Sequence, residues 1–487
     1  MVLKRVLGAG DAGWLVAGNM IGAGIFITPG LVAGALPGAV WPLVAWTLGG
    51  VVSLAGAAVY GELGARLPRA GGDYQYLRVA LGPLWGFLTG WAALIVTFSG
   101  AAAVMAIVAM DNVTTAWPAL AELPGLLRAV LPALLVVALS AGNVAGARVA
   151  GQTTIWLTAL PVAGLVVLFG AGLLLGGDVA GGITGAPGAG PTILPGGAAA
   201  TPAVLSLVAL GGAMMPVFFT YSGWNVAAYV AGEIRQPQRE LPKGLVLGTL
   251  GVTLFYVAFN LLLLVVLPHQ VMAGSTTAAA LAAQQLLGKG AERVLAVLVA
   301  MAVLGTANVT LMAGARIYYA MALDDLAPRA LATTNAAGVP SMALWAGGIW
   351  TALFSLTGRI EVLVNWSTLA ILLLSSLAVA ALFVFRHTGT EEGGGEQAAG
   401  EESSTGVDAA SSRAGDKRAG SRTDSVPYRC PGYPVTPALY LLVSLGVAVA
   451  SAVQDWKQAL YGVLIVLAGV PVYAWWQRGR RRRSPMA

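Results

Sequence analysis

The stretch Gly18-Asn19-Met20-Ile21-Gly22-Ala23-Gly24-Ile25-Phe26 lies inside an apolar run long enough to cross a bilayer, yet it carries three glycines. Each weakens a helix by roughly 1 kcal/mol relative to alanine, so the cluster invites unwinding in mid-membrane. Unwound backbone bares N–H and C=O groups that lipid cannot satisfy; they need a polar ligand or a water-filled cavity. Close helix packing is the competing reading of a single Gly-x-Gly. A second interrupted run, Phe218-Phe219-Thr220-Tyr221-Ser222-Gly223-Trp224-Asn225, weighs against it. Broken helices at corresponding places in two halves of a chain point to a midplane binding site.

The surrounding sequence sets the fold class. Of 487 residues, 57% are hydrophobic and 10% charged, and the mean hydropathy is +0.78. A soluble domain carries roughly 25% charged residues, so this chain cannot cover itself with water. Apolar runs of about 20 residues, the length a spanning helix needs, recur near 12–34, 38–62, 83–108, 127–145, 153–175, 203–232, 244–267, 293–320, 340–357, 362–385, 436–453 and 457–476. The expected fold is an all-α polytopic membrane protein with about twelve transmembrane helices. Lys4 and Arg5 precede the first run as they would a signal peptide, but its core is longer and contains Asn19 and Pro29, so it is read as a span.

Basic residues resist translocation and accumulate on the cytoplasmic side. With both termini inside, 22 of the 27 Lys and Arg residues fall in cytoplasmic segments, leaving Arg128, Lys289, Arg293, Arg359 and Lys457 outside. A miscounted span would scramble that separation. The topology accounts for the net charge of +6, so no nucleic-acid partner is expected. The run Arg478-Gly479-Arg480-Arg481-Arg482-Arg483 suits anionic membrane lipid, at about 1 kcal/mol per charge.

Residues 1–386 are expected to form a ten-helix core, with one repeat at about 12–175 and a second at about 203–385, joined by a Gly/Pro/Ala-rich stretch, 176–202. Residues 387–427, rich in Gly, Ser, Glu and Ala, cannot offset their ordering entropy by burial and are expected to be a disordered cytoplasmic linker. Residues 428–476 supply helices 11 and 12, and 477–487 a basic cytoplasmic tail. The two histidines, His269 and His387, are assigned to loops, and Cys430 is the one cysteine. Neither a nucleophile with its base nor a metal-ligand cluster is expected at depth, which argues against an enzyme, a metal site or a cofactor.

Four stretches together resemble the amino acid-polyamine-organocation superfamily, and within it the L-type amino acid transporter branch. They are Gly22 to Phe26; YGELGARLPRAGGDYQYL, from Tyr60 to Leu77; FFTYSGWNVAAYVAGEIRQPQRELPK, from Phe218 to Lys243; and GTANVTLMAGARIYYAMALDDLAP, from Gly305 to Pro328. The resemblance implies a five-plus-five inverted repeat with discontinuous helices 1 and 6, plus two C-terminal helices, in the plasma membrane. It implies that N–H groups around Gly22, Ala23 and Gly24, near Ile21, hold a substrate carboxylate. Carbonyls of Met20, Phe219 and Ser222 would accept from its ammonium. Phe219 matches the aromatic that closes over substrate, and Asn225 a polar residue near the site; Tyr221, Gly223 and Trp224 complete the segment, with core packing as the alternative for Tyr221 and Trp224. Glu62 and Arg66 stand at ion-pair spacing and are read as a solvated pair or as an inner gate that rearranges with Glu233 or Arg316. Asp11 is read as a helix cap.

Ionisable residues in membranes are costly and mark function, but Glu62, Glu233 and Arg316 sit near span ends, leaving the midplane without charge. That favours a small neutral amino acid, moved by exchange or facilitated diffusion. Alternatives are a proton-coupled amino acid or polyamine carrier, with His269 and loop carboxylates as its proton route, and a sensor that binds without transport. Some proton-coupled relatives carry a lysine in span five where Leu157-Thr158-Ala159-Leu160-Pro161 stands here, and sodium-coupled relatives carry span-eight hydroxyls where Ala313-Gly314-Ala315 stands. L-type carriers of animals attach to a glycoprotein through an extracellular cysteine between spans three and four; this chain has none there, so no disulfide-linked heavy chain is expected.

Overall fold

The computed structural model describes residues 3–174, 207–288, 290–357, 360–388, 428–454 and 456–483. Helices α1 (Ala9–Met20) and α2 (Gly24–Ala35) are two halves of one span, bent by 53° at the glycine cluster. Next come α3 (Val40–Arg66), the short α4 (Asp73–Leu81), and a long span built from α5 (Pro83–Ala92), a π-helical turn at Ala93–Thr97, and α6 (Phe98–Ala116). Helices α7 (Gly125–Val144) and α8 (Ala147–Leu174) complete the first half. The second half opens with α9 (Leu207–Tyr221) and one turn, α10 (Val226–Tyr229), and continues with α11 (Pro237–Val266). Between α11 and the next span lie α12 (His269–Met272) and α13 (Ala278–Leu287), then α14 (Ala291–Leu323), α15 (Ser341–Ser355) and α16 (Ile360–Thr388). Helices α17 (Val435–Gln454), α18 (Trp456–Leu467) and α19 (Gly469–Arg483) end the chain.

The protein is a polytopic all-α membrane protein. Among the described residues eight helices are long and apolar enough to cross a bilayer, and the bent α1–α2 pair makes a ninth. Segment α9 is shorter because Ser222 to Asn225 interrupt the run expected at 203–232. α15, at 15 residues, falls short of the roughly 20 a straight crossing needs. The joining stretch 176–202 and residues 389–427, nearly all of the expected linker, lie outside the described residues. His269 and His387 sit in helices rather than loops, opening α12 and in the last turn of α16.

Packing brings the two halves into each other. α3 lies along α11 and α6 along α14, while α1 packs against α8, α11 and α14, and α9 against α2 and α3. Both broken helices are therefore enclosed by continuous ones. The N-terminal segment is tied beneath them: Val6 and Leu7 donate their N–H groups to the Glu233 carbonyl, both at 2.9 Å, and Arg235 N–H returns to the Leu7 carbonyl. This end, which gathers Arg5, Glu62, Arg66, Glu233 and Arg386, is called the basic end below.

Candidate binding site between the broken helices

The first break is a three-residue gap, Ile21 to Ala23, between α1 and α2. It is held open from the side. The Thr306 hydroxyl of α14 donates to the carbonyls of Gly18 (2.9 Å) and Ile21 (3.2 Å), and Thr310 donates to Asn19 Oδ1 at 2.9 Å. The first turn of α2 leaves N–H groups that no carbonyl of its own helix can reach, and the helix dipole makes that end a cradle for an anion. Gly24 is required by close approach: a Cβ there would stand 3.0 Å from the Thr220 Cα, which is backbone and cannot give way.

The second break, Ser222 to Asn225, turns on Gly223, whose φ of +100° suits glycine. A Cβ at Gly223 would also meet Asn19 Nδ2 at 2.3 Å, so the two breaks touch. Tyr256 of α11 staples them, its buried hydroxyl reaching the carbonyls of both Met20 and Thr220. The Thr28 and Thr220 hydroxyls meet at 2.8 Å just beyond.

Between the breaks lies a cavity of about 120 Å³. Of the residues singled out by sequence, Met20, Gly22, Ala23, Gly24, Phe219, Ser222, Gly223 and Asn225 line it; Ile21, Tyr221 and Trp224 do not. Tyr221 is fully buried against Trp46, donating to its carbonyl at 2.9 Å, and Trp224 packs edge-on to Tyr60 and Tyr440. Of the three expected ammonium acceptors, the carbonyls of Met20, Phe219 and Ser222, the first two are already engaged within the protein. The Met20 carbonyl already accepts from Gly22 N–H and Tyr256, and that of Phe219 from the N–H and hydroxyl of Ser222. Each has both lone pairs in use.

One charged group lines the cavity, and sequence reading missed it. Asp73, the first residue of α4, is 5% exposed, and its Oδ2 accepts from the Tyr229 hydroxyl at 2.7 Å. The cavity between the breaks therefore carries an ionisable group, although Asp73 itself lies outside the spanning helices. Asp73 escaped notice because it lies between spans; the turn at Gly71 (φ +117°) and Gly72 (φ +50°) folds it back under the bundle. Gly-Gly-Asp was the available signal. Loss of water on burial pushes the Asp73 carboxyl up to about 6, against the lowering effect of nearby tyrosine hydroxyls.

Of the span-five stretch Leu157 to Pro161, Thr158 meets the first break, whereas in span eight residues before Ala313-Gly314-Ala315 do. In α8, Thr154 and Thr158 face Gly18, so no ionisable side chain of that helix stands there. In α14 the facing residues are Thr306 and Thr310, about two turns and one turn before Ala313, so span eight does bring hydroxyls to the broken helix. No cluster of three or more His, Cys, Asp or Glu able to hold a metal exists among the described residues.

The four gating candidates form two separate groups at the basic end. Arg316 reaches Glu233 at 2.6 and 3.2 Å, with both side chains buried. Glu62, also buried, accepts from Arg66 at 2.9 Å, from Arg386 of α16, and from the Cys430 N–H at 2.7 Å. Arg386 stacks on Tyr433, 3.8 Å from the ring centre. The first pair joins the end of the broken sixth span to α14. The second joins α3 to α16 and to the start of the last helices.

Two interrupted helices stapled around a small cavity in an all-helical membrane bundle are the architecture of a membrane carrier. The family follows from comparison: the pattern of the amino acid permease family matches residues 7–470, and the chain belongs to that family. It is similar to the serine/threonine exchanger SteT of Bacillus subtilis (strain 168), at 28% identity over 97% of this chain and 96% of the relative. It is also similar to the large neutral amino acids transporter small subunit 2 of Rattus norvegicus, 28% identical over 79% of this chain and 71% of that one. The b(0,+)-type amino acid transporter 1 of Oryctolagus cuniculus is 26% identical over 80% and 77%. The chain is a multi-pass amino acid transporter, with the helical breaks that the resemblance implied.

Proposed function

We propose that this protein exchanges small neutral amino acids across the plasma membrane by alternating access, with the basic end and both termini in the cytoplasm. One observation carries the reading: both breaks open on the same cavity, one ending in helix N–H donors and the other bearing polar acceptors, a match for the two charges of a zwitterion. The α2 start takes the carboxylate. Ser222 and Asn225 stand on the ammonium side, and Phe219 at the cavity wall closes over the side chain. The likeness to a serine/threonine exchanger supports exchange and a small substrate. The Glu233–Arg316 and Glu62–Arg66–Arg386 groups act as the inner gate, holding the basic end together. The carrier works without a disulfide-linked heavy chain, and the Arg478–Arg483 run rests on anionic lipid.

Uptake and counterflow of labelled amino acids in proteoliposomes test this, with and without proton and sodium gradients. Trans-stimulated flux of serine, threonine or alanine that needs neither gradient is the expected result. Binding with no flux would replace the carrier by a sensor.

A further inference from the structure

A chain of hydrogen bonds leads from the cavity to the buried carboxyl. Asn225 Nδ2 lies 3.2 Å from the Tyr229 hydroxyl, which lies 2.7 Å from Asp73 Oδ2. All three residues line the cavity. Proton counting fixes the direction. An ionised carboxylate only accepts, so Tyr229 spends its one proton on Asp73 and must itself accept from Asn225. Only the NH2 end of the amide can donate, so Oδ1 is the end left for the cavity. No donor among the described residues reaches it, whereas the Met20 and Phe219 carbonyls are saturated.

We propose that Asp73 is a positioning residue that acts through Tyr229 to lock the Asn225 amide with its carbonyl toward the cavity, where it accepts from the substrate ammonium group. This deepens the transport reading above and rests on it. The chemistry selected is a free primary amine beside a carboxylate.

The lock has a built-in weak point. Tyr60 from α3, Tyr76 from α4 itself, Tyr229 from α10 and Tyr440 from α17 face the carboxyl, and no basic side chain among the described residues pairs with it. Asp73 Oδ1 is buried without a hydrogen-bond partner. A protonated Asp73 can donate to Tyr229, which frees the tyrosine proton for Asn225 Oδ1. The amide then turns, and its NH2 end meets the ammonium, donor against donor. With a carboxyl that titrates at about 6, the ionised fraction falls about fourfold between pH 7.5 and 5.5.

The test is equilibrium binding of labelled L-serine, L-threonine and L-alanine to the purified full chain from pH 5.5 to 7.5. The unaltered protein is expected to bind about fourfold more weakly at pH 5.5. Tyr229→Phe is expected to bind about tenfold more weakly at pH 7.5 with a flat pH profile, because its amide is free to turn. Asp73→Asn, which keeps the shape and cannot ionise, is expected to give a flat profile at intermediate affinity. A monodisperse Tyr229→Phe protein with unaltered affinity and pH profile would overturn the relay, as would an unaltered profile in Asp73→Asn. Failure of the unaltered chain to bind any of the three amino acids at any pH would instead overturn the transport reading itself.

Discussion

The two broken helices solve one problem in different ways. At the first break the gap is short, three residues, and the carbonyls of Gly18, Met20 and Ile21 on its α1 side are capped from outside by Thr306 and Tyr256, which leaves the N–H end of α2 facing them. At the second break a four-residue gap turns on Gly223 and ends in Asn225, whose side chain carries the polar function onward to Tyr229 and Asp73. One break presents backbone donors and the other a side-chain acceptor. On the proposed function, such a pair of breaks would meet both charges of an amino acid, with Asp73 the one carboxylate at the cavity wall among the described residues.

The contrast is sharpest at Gly24. Valine there drives carbon into the Thr220 backbone at 3.0 Å, and flux is expected to vanish while membrane insertion persists. Unchanged flux in proteoliposomes would show that the first break is not the carboxylate site. Next in size is Arg316→Ala, which leaves Glu233 buried and unpaired beneath the second break; a loss of roughly 3–5 kcal/mol is expected, read as a lower unfolding temperature in detergent. Tyr256→Phe removes the staple common to both breaks and leaves buried carbonyls a donor short, for a cost of about 1–3 kcal/mol. A drop in transport with no drop in stability would assign Tyr256 to substrate rather than to the scaffold. Smallest is Arg66→Ala, expected at about 0.5–1.5 kcal/mol because the buried Glu62 loses one hydrogen-bonding partner but keeps Arg386 and the Cys430 N–H. A loss as large as that of Arg316→Ala would make the two groups equivalent.

The first break was legible in sequence because clustered glycine acts on its own helix: Gly22-Ala23-Gly24 unwinds where it stands. The second was legible through Ser222-Gly223 and its correspondence with the first, but its neighbours were not. Tyr221 and Trp224 carry the same kind of aromatic side chain as Phe219, and only packing against Trp46, Tyr60 and Tyr440 turns them away from the cavity. Asp73, Tyr256 and Thr306 were invisible for a related reason. Each reaches the site across many residues, and a loop carboxylate or a helix hydroxyl carries no local mark of where it will be buried. The Glu62 group joins residues 324 and 368 positions apart, so spacing could show only its Arg66 member.

The claim that two breaks grip opposite charges is tested most directly by competition in counterflow of labelled L-serine. Unlabelled L-serine is set against L-serine amide, which lacks the carboxylate, and L-glycerate, which lacks the ammonium. Both analogues are expected to compete at least about a hundredfold more weakly than serine, since each forfeits a charge-assisted contact of about 1.5–3 kcal/mol and leaves its partner groups unpaired. An analogue that competes as well as serine would show that the break assigned to its missing charge does not hold that charge.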